Sequence, residues 1–201
     1  MKQTFDYWEY VFHEWDYMRT GFEGILDIIL EVCNYRNIKD KKILEVGPSR
    51  AYLLYRLTSM GAETIGVDVD QENLDVARMM GVINGFNWNN PLLITTDIEK
   101  YLPDMPKVDY VLMFNVLHHL LVNKGEERGW KIFNSLLDKC KAIFIMARTE
   151  WQKPPNINLS ICKHQYQLGE IVKSKTKATW YIDYGELPVR WYGRHVYVFG
   201  K

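Results

Sequence analysis

Three carboxylates in this sequence stand where apolar runs give out. Glu45 is set into Ile43-Leu44-Glu45-Val46, Asp68 closes Thr64-Ile65-Gly66-Val67-Asp68, and Asp97 closes Leu92-Leu93-Ile94-Thr95-Thr96-Asp97. Acids at the carboxyl ends of buried strands face the edge where open α/β sheets bind ligands, and each offers acceptors to hydroxyl or amine donors. Two residues after Glu45, Gly47 begins the turn Gly47-Pro48-Ser49-Arg50-Ala51, where a strand passes into a helix. His118 and His119 adjoin after a fourth apolar run, with side chains suited to moving a proton near neutral pH.

The positioning elements follow from hydrophobic periodicity. Apolar runs at 42–46, 64–68, 91–97, 108–115 and 142–147 predict five buried strands, most of them followed by a helical pattern. Asp70 is expected to cap the helix that carries Leu74, Val76, Ala77, Met79 and Met80, with a stop at Gly81. Residues 126–137 predict a helix with Trp130, Phe133, Leu136 and Leu137 inward, and another is expected near 164–172. Residues 179–184 and 194–199 alternate as a closing, antiparallel strand pair at the sheet edge. Ahead of the first strand, residues 24–35 predict a helix. Phe5, Trp8, Phe12 and Trp15 form a helical aromatic stripe, with Tyr7, Tyr10 and Tyr17 on another face. That first helix either packs in a groove or forms a lid over a pocket.

The whole describes one α/β domain over 1–201, with N-terminal helices in 1–40 and a doubly wound, mostly parallel seven-stranded core in 41–201. The 201 residues are 47% hydrophobic, enough for a sizeable core. Lys plus Arg and Asp plus Glu number 25 each, so no overall field attracts nucleic acid or an anionic membrane. Cys33, Cys140 and Cys162 show neither a disulfide framework nor metal-ligand spacing, which suits a reducing compartment. No signal sequence is expected, nor an apolar run near the ~20 residues that span a bilayer. A cytoplasmic protein without a metal site is expected.

The turn after the first strand discriminates between cofactors. A dinucleotide fingerprint needs three glycines, one of them to admit the pyrophosphate. Here Ser49 and Ala51 occupy the second and third places, and Pro48 removes an N–H that could donate to phosphate. A nucleoside cofactor without phosphate tolerates these losses. Asp68, 23 positions after Glu45, suits ribose hydroxyls, and Asp97 suits an exocyclic amine. Glu45-Val46-Gly47, Gly66-Val67-Asp68, Asp97 and the segment Asp109 to Leu120 together resemble the successive motifs of class I S-adenosylmethionine-dependent methyltransferases, over roughly residues 40–147. The resemblance implies a Rossmann-like fold and S-adenosylmethionine as cofactor. It implies Gly47 beside the methionine part, Glu45 near its amino group, and Asp68 on the ribose. It further implies Val69 packed on the adenine, Asp97 accepting from the adenine amine, the Ile98 N–H donating to the ring, and Asn115 lining the methionine side. Ser49 and Ala51 depart from the family's usual glycines, and Ser49 would adjoin the cofactor.

A sulfonium methyl is already activated, so transfer needs mainly in-line placement of an acceptor in a water-poor pocket. His118 or His119 would serve as general base where the acceptor must lose a proton. The segment after the fourth strand lacks the Pro-Pro-aromatic signature of base-amino methylation. Arg148, Trp151 and the tyrosines of the first helix suggest a small-molecule acceptor. Two other readings stand beside an active methyltransferase. One is a cofactor-binding regulatory module on the same fold. The other is a nicotinamide oxidoreductase, for which Tyr35 and Lys39 have the Tyr-x-x-x-Lys spacing but precede the first strand.

Overall fold

The computed structural model describes residues 22–34, 38–87, 89–146, 167–186 and 195–201. Seven strands form one sheet: β1 (Lys42–Val46), β2 (Glu63–Asp68), β3 (Leu92–Thr95), β4 (Tyr110–Phe114), β5 (Ala142–Met146), β6 (Trp180–Glu186) and β7 (His195–Gly200). Their order is β3-β2-β1-β4-β5-β7-β6, with β1 to β5 parallel and β7 antiparallel to both of its neighbours. From β1 the chain steps outward through β2 and β3, then crosses to the other side of β1 for β4. The order therefore reverses between β1 and β4, the switch point at which doubly wound sheets open a crevice.

Side-chain alternation along the central strands fills both faces. Ile43, Leu112, Phe114, Phe144, Met146, Val196 and Val198 pack with Ile25, Leu26 and Ile29 of α1 (residues 22–32) and with Leu53 and Leu57 of α2 (Tyr52–Ser59). Leu44, Val46, Val111, Met113, Ile143, Ile145, Tyr197 and Phe199 pack the opposite way, against α6 (Glu126–Leu137) and α7 (Leu168–Lys175). Strands buried on both faces read as continuous apolar runs, which is why β1, β4 and β5 were visible in the sequence.

Several expected boundaries move, the helix expected at 24–35 running over 22–32. The helix after Asp70, α3 (Gln71–Ile83), runs through Gly81 rather than stopping there. Gly81 is buried, and a Cβ at that position would collide with the Tyr55 hydroxyl, so close packing and not chain reversal accounts for the glycine. The segment after β4 is a full helix, α5 (Leu117–Lys124), separated from α6 by Gly125 at φ 82°. Between β3 and β4 lies the one-turn α4 (Ile98–Tyr101). The last helix begins at Leu168, a few residues later than its apolar pattern suggested. The closing strand pair is antiparallel at the edge as expected. The aromatic stripe of residues 5–17, Tyr35, Arg148, Trp151 and the proline-bearing loop lie outside the described residues.

Candidate cofactor and active site

β1 ends in a tight, left-handed turn. Gly47 (φ 67°), Ser49 (φ 51°) and Ala51 (φ 56°) alternate with Pro48 and Arg50. The turn closes through Ala51 N–H donating to Pro48 O at 2.8 Å, while Gly47 N–H donates to Val67 O at 2.8 Å. Left-handed backbone costs a non-glycine residue about 1 kcal/mol or more. The chain therefore takes up the glycine-type turn even at the two positions where its side chains make that unfavourable. Gly47 itself is required, since a Cβ there would lie 2.6 Å from Val116 Cγ2.

Asp68 ties this turn to the end of β2. Its Oδ2 accepts from Ser49 N–H at 3.1 Å and its Oδ1 from Asp70 N–H at 3.0 Å. Each oxygen retains a second lone pair for a ligand hydroxyl. Asp70, as expected, caps α3 by accepting from Asn73 N–H at 3.0 Å. Asp97 caps α4, with Oδ1 accepting from Glu99 N–H at 2.9 Å, and its Oδ2 is ion-paired with Lys124. Burial works to raise the Asp97 carboxyl, but the Lys124 ammonium and the Glu99 N–H outweigh it and hold the group below the ordinary aspartate value.

These residues surround a cleft of about 630 Å³ at the carboxyl edge of the sheet, a size typical of cofactor sites. Glu45, Gly47, Ser49, Asp68, Val69, Asp97, Ile98 and Asn115 all line it. Val69 is 70% exposed on its wall, a flat apolar surface offered to the cleft. Asn115 adopts φ 61°, and its N–H donates to Met146 O at 2.7 Å, which turns the chain from β4 into α5.

Glu45 differs from the other acids. It is 4% exposed, and its Oε2 has no hydrogen-bond partner among the described residues. Burial, reinforced by the charge of Asp68, pushes its carboxyl up to about 8. A buried acceptor without a donor costs about 1–3 kcal/mol. On a residue that lines the cleft, this oxygen could accept from a cationic or hydrogen-bonding ligand group. The residues present therefore fit a molecule that brings an ammonium to Glu45 and vicinal hydroxyls to Asp68.

The structure divides the histidine pair. His118 is 2% exposed and off the cleft, whereas His119 is exposed and on its wall. The helical phase decides this, because α5 starts at Leu117 and buries positions 117, 118, 120 and 121. Phe22, Thr96, Val116, Leu120, Asn123 and Lys124 also line the cleft, and none of them was given a site role from the sequence. Among the described residues no cluster of His, Cys, Asp or Glu could hold a metal ion, and no helix is long and apolar enough to cross a membrane.

Sheet order, switch-point cleft and strand-end acids define a doubly wound α/β domain with an open cleft at the β1 turn. A family model described as a methyltransferase domain matches residues 44–136. That matched stretch holds the β1 turn, the strand-end acids and the helix after β4, and it is similar to methyltransferase domains of the class that uses S-adenosylmethionine. It is 28% identical over 117 residues to a ubiquinone biosynthesis O-methyltransferase of Pseudoalteromonas translucida (strain TAC 125), a match covering 54% of this chain and 48% of that protein. Its fold superposes on the bifunctional kinase-methyltransferase WbdD with a TM-score of 0.71 at 20% identity, over 89% of this chain and 39% of the other. An S-adenosylmethionine-dependent methyltransferase from Clostridium acetobutylicum ATCC 824 gives a TM-score of 0.66 at 13% identity, over 96% and 98% of the two chains. The chain thus spans about half the length of that curated relative and about two fifths of the kinase-methyltransferase.

Proposed function

We propose that the protein transfers a methyl group from S-adenosylmethionine to a small-molecule acceptor in the cytoplasm. The observation that carries this reading is the unpartnered Oε2 of Glu45, a residue that lines the cleft. An amino acid's ammonium is the group that would complete it, and S-adenosylmethionine carries one. When bound, the cofactor supplies a methyl already activated by its sulfonium. The chain's own work is then to place the acceptor and keep water out.

Asp68, aimed by two backbone N–H groups, would hold the ribose hydroxyls. Val69 would pack on the base, with Asp97 and the Ile98 N–H at its edge. Asn115 and the Gly47 turn would line the methionine side, with Ser49 on the same wall. Phe22, Phe114 and Leu120 give the cleft an apolar lining against which an acceptor would be shielded from water. Of the histidines, His119 stands where a proton could be taken from an acceptor, and His118 would support it from the core. Balanced charge supports a small acceptor over nucleic acid.

Calorimetry with S-adenosylmethionine, S-adenosylhomocysteine and NAD tests the reading. Heat is expected with both sulfur nucleosides and none with NAD. No heat from either sulfur ligand at millimolar concentration would sink it. Tight binding without methyl transfer to any acceptor in a metabolite screen would favour the regulatory module.

A further inference from the structure

Lys124 ends α5 and lines the cleft beside Asp97. Its ammonium is ion-paired with Asp97 Oδ2 and lies 3.5 Å from Glu99 Oε2. Glu99 is held in turn by Arg128 Nε at 2.6 Å, so Lys124 is braced from α4 and α6 together. The same lysine lines a second hollow of about 560 Å³, with Glu99, Leu102, Arg128 and Ser135. It is the partition between the two cavities. The side chains of Lys124 and Asp97 are 23% and 22% exposed, so the pair is part-buried at the cleft wall.

The consequence for Asp97 is geometric. One oxygen is fixed by the Glu99 N–H and the other by Lys124, leaving a single orientation of the carboxylate with acceptor lone pairs to offer. A purine with an exocyclic amine meets that acceptor with a donor. A purine with an oxo group at the same place sets acceptor against acceptor. A base covering Asp97 also strips its water, and an uncompensated buried carboxylate would then be costly. Lys124, paired with Asp97 Oδ2, supplies the compensating charge.

We propose that Lys124 sets the base selectivity of this cleft, fixing Asp97 as an acceptor so that 6-aminopurine nucleosides bind and 6-oxopurine nucleosides do not. The proposal rests on the nucleoside reading above, and it makes Lys124 a positioning residue that acts through Asp97.

The test is calorimetry with S-adenosylhomocysteine and its 6-oxo counterpart, S-inosylhomocysteine. The wild-type protein is expected to prefer the amino ligand by about tenfold or more, the scale on which a mismatched polar site discriminates. Lys124→Met is expected to narrow that preference to about threefold or less as Asp97 loses its fixed orientation, and Lys124→Arg to retain it. Lys124→Gln, similar in length but uncharged, is a second neutral variant and should narrow it likewise. Equal weakening of both ligands in the folded neutral variants, with the ratio unchanged, would overturn the proposal. So would a wild-type protein that binds both ligands equally. A wild-type protein that binds neither ligand would instead overturn the methyl-transfer reading on which the proposal rests.

Discussion

The two ends of the cleft carry carboxylates in opposite states. At the β3 end, Asp97 has a cation and a backbone donor, and its carboxyl is held below the ordinary value. At the β1 end, Glu45 is buried with one oxygen unpartnered, and its carboxyl is pushed up to about 8. The backbone follows the same division. The β1 turn holds Ser49 and Ala51 at positive φ, whereas Asp97 caps its helix at φ −74°. One end is complete before any ligand arrives. The other stores cost in a buried, unpartnered carboxyl oxygen and in its backbone, and a ligand's ammonium would relieve the first of these.

The largest effect should come from removing the ionisable group at the incomplete end. Glu45→Gln is expected to weaken S-adenosylhomocysteine binding about 100-fold, on the order of 2–3 kcal/mol for a desolvated charge pair. The free protein should keep its melting temperature at neutral pH, because Gln replaces a carboxyl that is already largely protonated there. Calorimetry and thermal unfolding read the two quantities separately, and a large loss of stability would show that Glu45 has a partner in the free protein. Comparable in scale is Gly47→Ala, which places a Cβ 2.6 Å from Val116 Cγ2 at φ 67°. It should cost ~2–3 kcal/mol in denaturant unfolding, summing the left-handed penalty and the overpacking. Adding Val116→Ala should return the steric part only.

Much of the incomplete end was legible in the sequence, because its parts are neighbours along the chain. Glu45, Gly47 and the turn are contiguous, and acids that close apolar runs announce Asp68 and Asp97. The state of each acid was not legible. Lys124 is 27 positions from Asp97 and looks like any lysine in the last turn of a helix, where the helix dipole favours one. The division of His118 from His119 needed the first residue of α5, and a shift of one position would exchange them. Gly81 was misread because a glycine near a helix end and a glycine under a tyrosine hydroxyl look alike in one dimension. The left-handed turn at Ser49 and Ala51 was hidden for a different reason. Residue preference argued against it, and the fold imposed it.

Next in size is the response to pH, where the two ends should oppose each other. The folded Glu45 carboxyl, near 8 against an ordinary 4.5, binds more proton than the unfolded chain between those values. Its contribution to stability therefore falls as pH rises through that window. The Asp97 carboxyl is depressed, so its contribution is full above the ordinary value of 3.8 and is lost as pH falls through its lower folded value. A ligand ammonium that needs ionised Glu45 must displace a proton. S-adenosylhomocysteine affinity should thus rise by up to about tenfold per unit between pH ~6 and ~8, or about 1.4 kcal/mol. Glu45→Gln should flatten that slope. A slope that survives the substitution would assign the proton to another group.

The smallest effect isolates the backbone of the β1 end from its side chains. Ser49 stands at φ 51°, where glycine is at ease, and Ser49→Gly should recover the left-handed penalty less the extra chain entropy of glycine. The net expectation is a gain of ~0.5–1 kcal/mol in denaturant unfolding. The N–H that donates to Asp68 survives the substitution, so the tie between the two strand ends should persist. If the turn recognises its ligand through main chain and shape, S-adenosylhomocysteine affinity should stay within about threefold, less than a typical side-chain hydrogen bond is worth. A tenfold loss would move that role to the Ser49 hydroxyl. The chain would then keep a strained serine where glycine folds more easily because the ligand needs the oxygen.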